Sequence, residues 1–249
     1  MWIRDMRGAS VLISIVIPVC NEDKSLPQLI NEIDDVVRKV DHNMEVIFIN
    51  DASTDDTEKI LREFEQRYPY VRTFHLPERS GQTGCYQVAF QEAGGKYIIR
   101  MDGDLQDDPR DLHQFFPFIE QDIDMIMGLR ALRKHRRLLR FASILYDSFV
   151  VLLFDSPLHT NTSSFIAFKA EYLKGITFKR NDHRHLPLIA MRRGAERIKE
   201  VVVTNRERIH GVSKYKDYKK VLFGVSEVIR FVLRMKFGYY DPKLGVERQ

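Results

Sequence analysis

Asp102 and Asp104, separated by Gly103, directly follow the apolar stretch Tyr97 to Met101 and precede Leu105-Gln106. Two carboxylates at i and i+2 beyond a strand end can converge on one divalent cation. Their hard oxygens suit Mg²⁺ or Mn²⁺, ions that readily share their shell with phosphate oxygens. On its own, an Asp-x-Asp reads as a solvated acidic turn, so placement decides. Asp51 closes another apolar run in Ile49-Asn50-Asp51-Ala52-Ser53-Thr54-Asp55, and Asn21-Glu22 follow a first one. Three strand ends thus bring acids or amides to one edge of a sheet, the edge where open α/β sheets bind nucleotides. A further carboxylate, Asp182, stands beside His183 and His185. It can serve as a general base or as a helix cap, and the histidines as metal ligands or as solvent-facing loop residues.

The elements that must position these groups alternate. Ile13 to Ile17 is a β-branched run ended by Pro18, and Ser25 is expected to cap a helix whose Leu26, Leu29, Ile30, Ile33, Val36, Val37 and Val40 recur at helical spacing. Met44 to Ile49 reads as a second strand and Thr54 to Tyr68 as a helix. A third strand over Val71 to Leu76 precedes a helix over Gly81 to Ala93, stopped by Gly94-Gly95. Tyr97 to Met101 is a fourth strand, Pro109 opens a helix after an acidic loop holding Asp107 and Asp108, and Ile123 to Met127 is a fifth strand. Continuous apolar strands separated by helices imply a parallel sheet covered on both faces, an α/β class.

The second half is basic. Six cations and no acid lie between Arg130 and Arg140, followed by an amphipathic stretch from Leu138 to Phe154. Lys214 to Lys236 holds seven cations, with Val221, Val225, Val228, Ile229 and Val232 on one helical face. Each basic amphipathic stretch reads either as a core-facing helix with a solvated back or as one that lies on an anionic membrane surface. The 249 residues carry 39 Lys+Arg against 35 Asp+Glu, a net charge of +4, and 44% hydrophobic content. That composition excludes disordered and fibrous classes. No apolar run approaches the roughly 18 residues of a membrane-spanning helix. Two cysteines, Cys20 and Cys85, make no disulfide framework, so a reducing cytoplasm is expected. Arg4 and Arg7 before Val11 to Cys20 mimic a secretory signal, but Pro18 breaks the stretch, which is read as a buried strand.

The segments Ile15-Val16-Ile17-Pro18-Val19-Cys20-Asn21-Glu22, Ile49 to Asp55 and Met101-Asp102-Gly103-Asp104-Leu105-Gln106 resemble family 2 glycosyltransferases of the GT-A fold. The run Asp102 to Gln106 followed by acid and proline, with Arg208-Ile209-His210-Gly211-Val212-Ser213-Lys214, is most similar to the polyprenyl-phosphate subgroup that includes dolichol-phosphate mannose synthase. The resemblance implies one domain over 1–249 with a mostly parallel, Rossmann-like sheet and C-terminal amphipathic helices. Residues 12–130 would form the nucleotide-sugar-binding half, 131–215 the acceptor half, and 216–249 an amphipathic helix and tail. It implies an inverting, Mg²⁺- or Mn²⁺-dependent transfer of a sugar from a nucleotide-sugar donor to a lipid-phosphate acceptor, by an enzyme peripherally attached to the cytoplasmic membrane face. A membrane-anchoring subunit or a homo-oligomer would assist, and nucleic acid is not an expected partner.

Carried over by position, Pro18, Cys20 and Glu22 line the nucleoside pocket, with Ile49 and Asp51 on the base. Asp102, Gly103 and Asp104 hold the diphosphate through the metal, with Gln106 as a further metal ligand. Arg130, Arg208 and Lys214 grip phosphate groups, and Asp104, Arg208 and Asp182 are the expected catalytic residues. Relatives commonly have a tyrosine where this chain has Cys20, which predicts weaker base stacking. Thr160 to Phe165 stands where relatives often show Asp-Pro-Thr-Ser-Gly-Phe-Arg, and its acid, glycine and arginine are absent. The acceptor is therefore open. A lipid phosphate, already anionic, needs no base, whereas a glycan or lipopolysaccharide hydroxyl needs a carboxylate such as Asp182. A non-catalytic nucleotide-sugar-binding module is a third reading.

Overall fold

The structure, a computed structural model, describes residues 13–130, 158, 163–207 and 219–242, with side chains in the last helix from Ser226. Strands β1 (Ile13–Val19), β2 (Met44–Asn50) and β4 (Tyr97–Arg100) are the most apolar, and nearly every side chain in them is buried. Strands with both faces covered must be apolar throughout, which is why these runs do not alternate. β3 (Val71–His75), β5 (Met125–Arg130), β6 (Ile166–Lys169) and β7 (Ile198–Val203) complete one sheet, in the order β3-β2-β1-β4-β6-β5-β7. β6 runs antiparallel to both of its neighbours, and the remaining pairings are parallel. The expected mostly parallel α/β sheet is present.

Register makes the shared edge. Val19 of β1 sits opposite Asn50 of β2, and Val16 opposite Arg100 of β4. The chain therefore leaves all three strands on one side, carrying Asn21-Glu22, Asp51 and Asp102 out together. Helices α1 (Leu26–Val37) and α2 (Thr57–Arg67), a 3₁₀ turn at Pro109–Gln114 and α4 (Phe116–Glu120) lie with a core of Ile15, Ile17, Val46, Phe48, Ile99 and Phe115. α3 (Gly81–Glu92), α5 (Leu186–Arg192) and α6 (Lys219–Lys236) cover the opposite face, with Val16, Ile47, Ile98, Tyr86, Phe90 and Phe231 between.

Several local expectations change. Ser25 occupies the position before α1, but its hydroxyl donates to Glu22 Oε2 at 3.0 Å instead of accepting from the helix. Pro109 opens a 3₁₀ turn, because Asp108 caps Arg110 N–H and a short α-helix follows. β6 and β7 carry no long apolar run and were not foreseen. The stretch 138–154 lies outside the described residues. On α6 from Ser226 onward the buried residues are Phe231 and Met235, while Ile229, on the apolar face that was open to a core or a membrane reading, is 55% exposed.

Candidate active site

The Asp-x-Asp loop is built on a fully buried acid that is not one of the pair. Asp107 Oδ2 accepts from Asp102 N–H at 3.1 Å, and both Asp107 oxygens accept from the Ser164 hydroxyl, at 3.1 and 2.8 Å. Arg130 Nη2 donates to Asp107 Oδ1 at 2.8 Å and also to Ser164 Oγ. Closed hydrogen-bonded networks of this kind hold a loop in one geometry. Asn205 bridges to Asp107, Arg206 N–H donates to Gln106 O, and the Arg206 guanidinium pairs with Asp108 and Glu32. Burial works against the Asp108 charge, but Arg110 and Arg206 outweigh it and hold the carboxyl well below the ordinary range.

Gly103 is required by close approach, since a Cβ there would lie 2.6 Å from Val19 Cγ1. Leu105 follows with φ +64°, a left-handed residue with a fully buried side chain. Asn21 and Ala52 take the same conformation after β1 and β2, at φ 59° and 48°. Non-glycine residues hold such angles only where their surroundings impose them.

Within this loop Asp102 Oδ1 is buried with no hydrogen-bond partner, and Oδ2 lies 3.8 Å from Arg130. Burial, together with the nearby Asp107 and Asp104, pushes Asp102 up to about 6, while Arg100 and Arg130 pull it back. An orphaned buried carboxylate oxygen beside a second carboxylate fits a divalent cation. Among the described residues no group of three or more His, Cys, Asp or Glu encloses a metal. The pair thus suits an ion that completes its shell with oxygens from a bound diphosphate. Asp104 Oδ1 accepts Gln106 N–H at 3.1 Å, so Gln106 enters this arrangement through its backbone. Arg130 is largely enclosed, its side chain 24% exposed. Burial opposes its charge, and Asp107, Asp102 and Asp104 more than restore it.

At the exit of β2, Asp51 ties neighbouring segments together. Its Oδ1 accepts Ser80 N–H at 2.7 Å and its Oδ2 accepts Gly81 N–H at 3.1 Å, which ties the β2 exit to the start of α3. The Cys20 thiol donates to Asp51 O at 3.3 Å, and Asn21 Oδ1 accepts Thr54 N–H at 2.8 Å. Pro18, Cys20 and Glu22 are partly exposed at this edge, whereas the Ile49 side chain is fully buried in the core beneath it. Arg208 and Lys214 lie outside the described residues.

Asp182 is placed differently. It is fully buried and both its oxygens are engaged: Oδ1 accepts Arg234 Nη2 at 2.7 Å, and Oδ2 accepts the Tyr240 hydroxyl at 2.7 Å and Lys179 N–H at 2.6 Å. His183 and His185 are buried too, contrary to their reading as solvent-facing loop residues. His183 Nδ1 meets Thr83 Oγ1 at 2.7 Å, and His185 stacks on Phe231 with ring centroids 4.1 Å apart. Burial, helped by nearby arginines, lowers His183 to about 2 and His185 to about 4, so both are neutral near pH 7.

Sequence reasoning noted Asp107 only as a loop acid, and missed Ser164, Arg100 and Arg206. The Asp-Asp-Pro run after Gln106 marked the loop as crowded with acid. No local signal named Ser164 as a partner, because the two residues are 57 positions apart in the chain.

Residues 14–177 match the model of glycosyl transferase family 2. The chain is 31% identical over 244 residues to a dodecaprenyl-phosphate galacturonate synthase from Rhizobium johnstonii, covering 95% of this chain and 72% of that protein. It is 28% identical over 211 residues to an undecaprenyl-phosphate 4-deoxy-4-formamido-L-arabinose transferase from Pseudomonas syringae, covering 84% of this chain and 62% of that one. The fold is shared with a glucosyl-3-phosphoglycerate synthase from Mycobacterium tuberculosis solved with Mn²⁺ and uridine-diphosphate-glucose. There the TM-score is 0.66 at 19% identity, over 94% of this chain and 81% of that one.

Proposed function

Because the chain belongs to glycosyl transferase family 2, we propose that it transfers a sugar from a nucleotide-sugar donor to a polyprenyl phosphate, with inversion, at a membrane face. The observation that carries the donor half is the orphaned Asp102 oxygen beside Asp104, in a loop held from below by Asp107. Asp102 and Asp104 would hold Mg²⁺ or Mn²⁺, with Gln106 beside them. When bound, the ion neutralises charge that develops on the departing diphosphate.

The chain's own residues do the rest. The edge formed by Pro18, Cys20 and Glu22 borders the nucleoside, and Asp51 shapes that border by holding Ser80 and Gly81. Arg130 places a guanidinium beside the diphosphate position, and Arg208 and Lys214 supply further cations for phosphate. A phosphate acceptor attacks the anomeric carbon as an anion. No proton needs to be taken from it, and direct displacement inverts the configuration.

The acceptor half draws on the polyprenyl-phosphate activities of the two relatives and on Asp182. A hydroxyl acceptor needs a carboxylate within reach, whereas both Asp182 oxygens are occupied by Arg234, Tyr240 and Lys179 N–H. Peripheral attachment draws on α6 and the first residue beyond it, where Ile229, Leu233 and Phe237 are 55%, 46% and 80% exposed at a spacing of four residues. Arg230 and Lys236 flank this stripe and suit an anionic surface. No helix among the described residues is long and apolar enough to cross a membrane.

Purified protein, incubated with Mn²⁺, a panel of UDP-, GDP- and CMP-sugars and undecaprenyl phosphate, is expected to yield a lipid-linked sugar. Asp104→Ala and chelation each should remove it by at least about a hundredfold, the scale of losing one electrostatic contact to developing charge. Transfer to a glycan hydroxyl instead, or undiminished turnover after chelation, would overturn the corresponding half of the reading.

A further inference from the structure

Asp182 joins a three-membered cluster that closes on itself. Its two oxygens take Arg234 and Tyr240, and Arg234 Nε donates to the Tyr240 hydroxyl at 2.7 Å. Tyr240 is 1% exposed and Asp182 fully buried, with Arg234 the one partly exposed member of the cluster. Two of its members belong to α6 and the turn after it, while Asp182 belongs to a 3₁₀ turn (Asp182–Arg184).

That turn is bonded on its other side to the donor edge. The His183 carbonyl accepts Arg100 Nη1, His183 Nδ1 meets Thr83 near the start of α3, and Arg100 Nε donates to Tyr86 at 2.9 Å. Arg100 ends β4, two residues before Asp102. Breaking a buried charge pair from one side leaves the other charge uncompensated, so such a junction holds firmly while intact.

We propose that Asp182 is a positioning residue and not the base: it pins α6 to the donor edge, fixing where the exposed stripe Ile229, Leu233 and Phe237 sits relative to the Asp102/Asp104 loop. The inference rests on the lipid-acceptor reading, since a base is dispensable only for an anionic acceptor. It makes the geometry between membrane contact and donor loop a property of one carboxylate. Losing the clamp loosens presentation of the acceptor and leaves the chemistry of a bound pair alone.

The test compares full-length Asp182→Asn, Tyr240→Phe and Arg234→Met. Amide hydrogen exchange over α6 is expected to speed up by about tenfold in each, the equivalent of one lost hydrogen bond. The KM for undecaprenyl phosphate in phosphatidylglycerol vesicles should rise by about fivefold to tenfold with kcat within about twofold, because only acceptor binding has been weakened. A collapse of kcat in Asp182→Asn, with Tyr240→Phe and Arg234→Met like wild type in exchange and KM, makes Asp182 a base and overturns the proposal. Unchanged exchange in all three also overturns it. Should wild-type protein turn over no lipid phosphate, the acceptor reading fails by itself, and the exchange data still decide the clamp.

Discussion

Asp107 shows how a residue outside the reacting pair governs it. It touches Asp102 through the backbone, Ser164 through its hydroxyl and Arg130 through its guanidinium, all without exposure to solvent. Asp107→Ala leaves the Ser164 hydroxyl and part of the Arg130 charge without their partner. It should destabilise the fold by about 3 kcal/mol in urea titration. In the same variant the Mn²⁺-dependent thermal shift with UDP should shrink, because the Asp102 backbone is no longer fixed. Asp102 and Asp104 were legible as a pair because a strand end preceded them. Asp107 was legible only as acid in a loop, since its partners Ser164 and Arg130 arrive from β6 and β5, distant in sequence.

α6 separates two apolar faces that a single-sequence pattern merges. Phe231 and Met235 pack on the core, and Phe231→Ala should cost about 3 kcal/mol of stability by leaving a cavity. Phe237→Ser, on the exposed stripe, should change stability by less than about 0.5 kcal/mol. Yet flotation with anionic vesicles should weaken by on the order of 2 kcal/mol, the burial value of one large side chain. Equal flotation of Phe237→Ser and wild type would remove the stripe from the membrane. The helical period of this segment was readable, but which side faces the core was not. That choice is made by His185 stacking on Phe231 and by Tyr240 closing on Asp182, contacts that local sequence does not encode. The long apolar strands β1, β2 and β4 were readable for the opposite reason, being buried on both faces.

At the scale of the molecule, a net charge of +4 conceals a separation of acids at the donor edge from cations along the second half. Vesicle binding through the cations should fall as NaCl rises from about 0.05 to 0.5 M, since the screening length drops severalfold over that range. Retention of UDP with Mn²⁺ should change less, because Asp102 and Arg130 are largely enclosed. Co-sedimentation and equilibrium dialysis in the same salt series check both halves. The parallel part of the sheet was foreseen from its apolar runs, whereas the reversal at β6 was not, because Ile166–Lys169 is too short to announce a direction.

That reversal has a topological consequence. β5 ends at Arg130, and β6, running the other way, begins at Ile166, which lies opposite Arg100. The exits of β4 and β5 and the entrance of β6 therefore share one rim of the sheet, and Arg130 and Ser164, 34 positions apart, both reach Asp107 there. A parallel strand in the same place would enter from the opposite rim and carry Ser164 away from the Asp102/Asp104 loop. The single inverted strand thus acts as a keystone, letting two distant stretches of chain lock one buried acid.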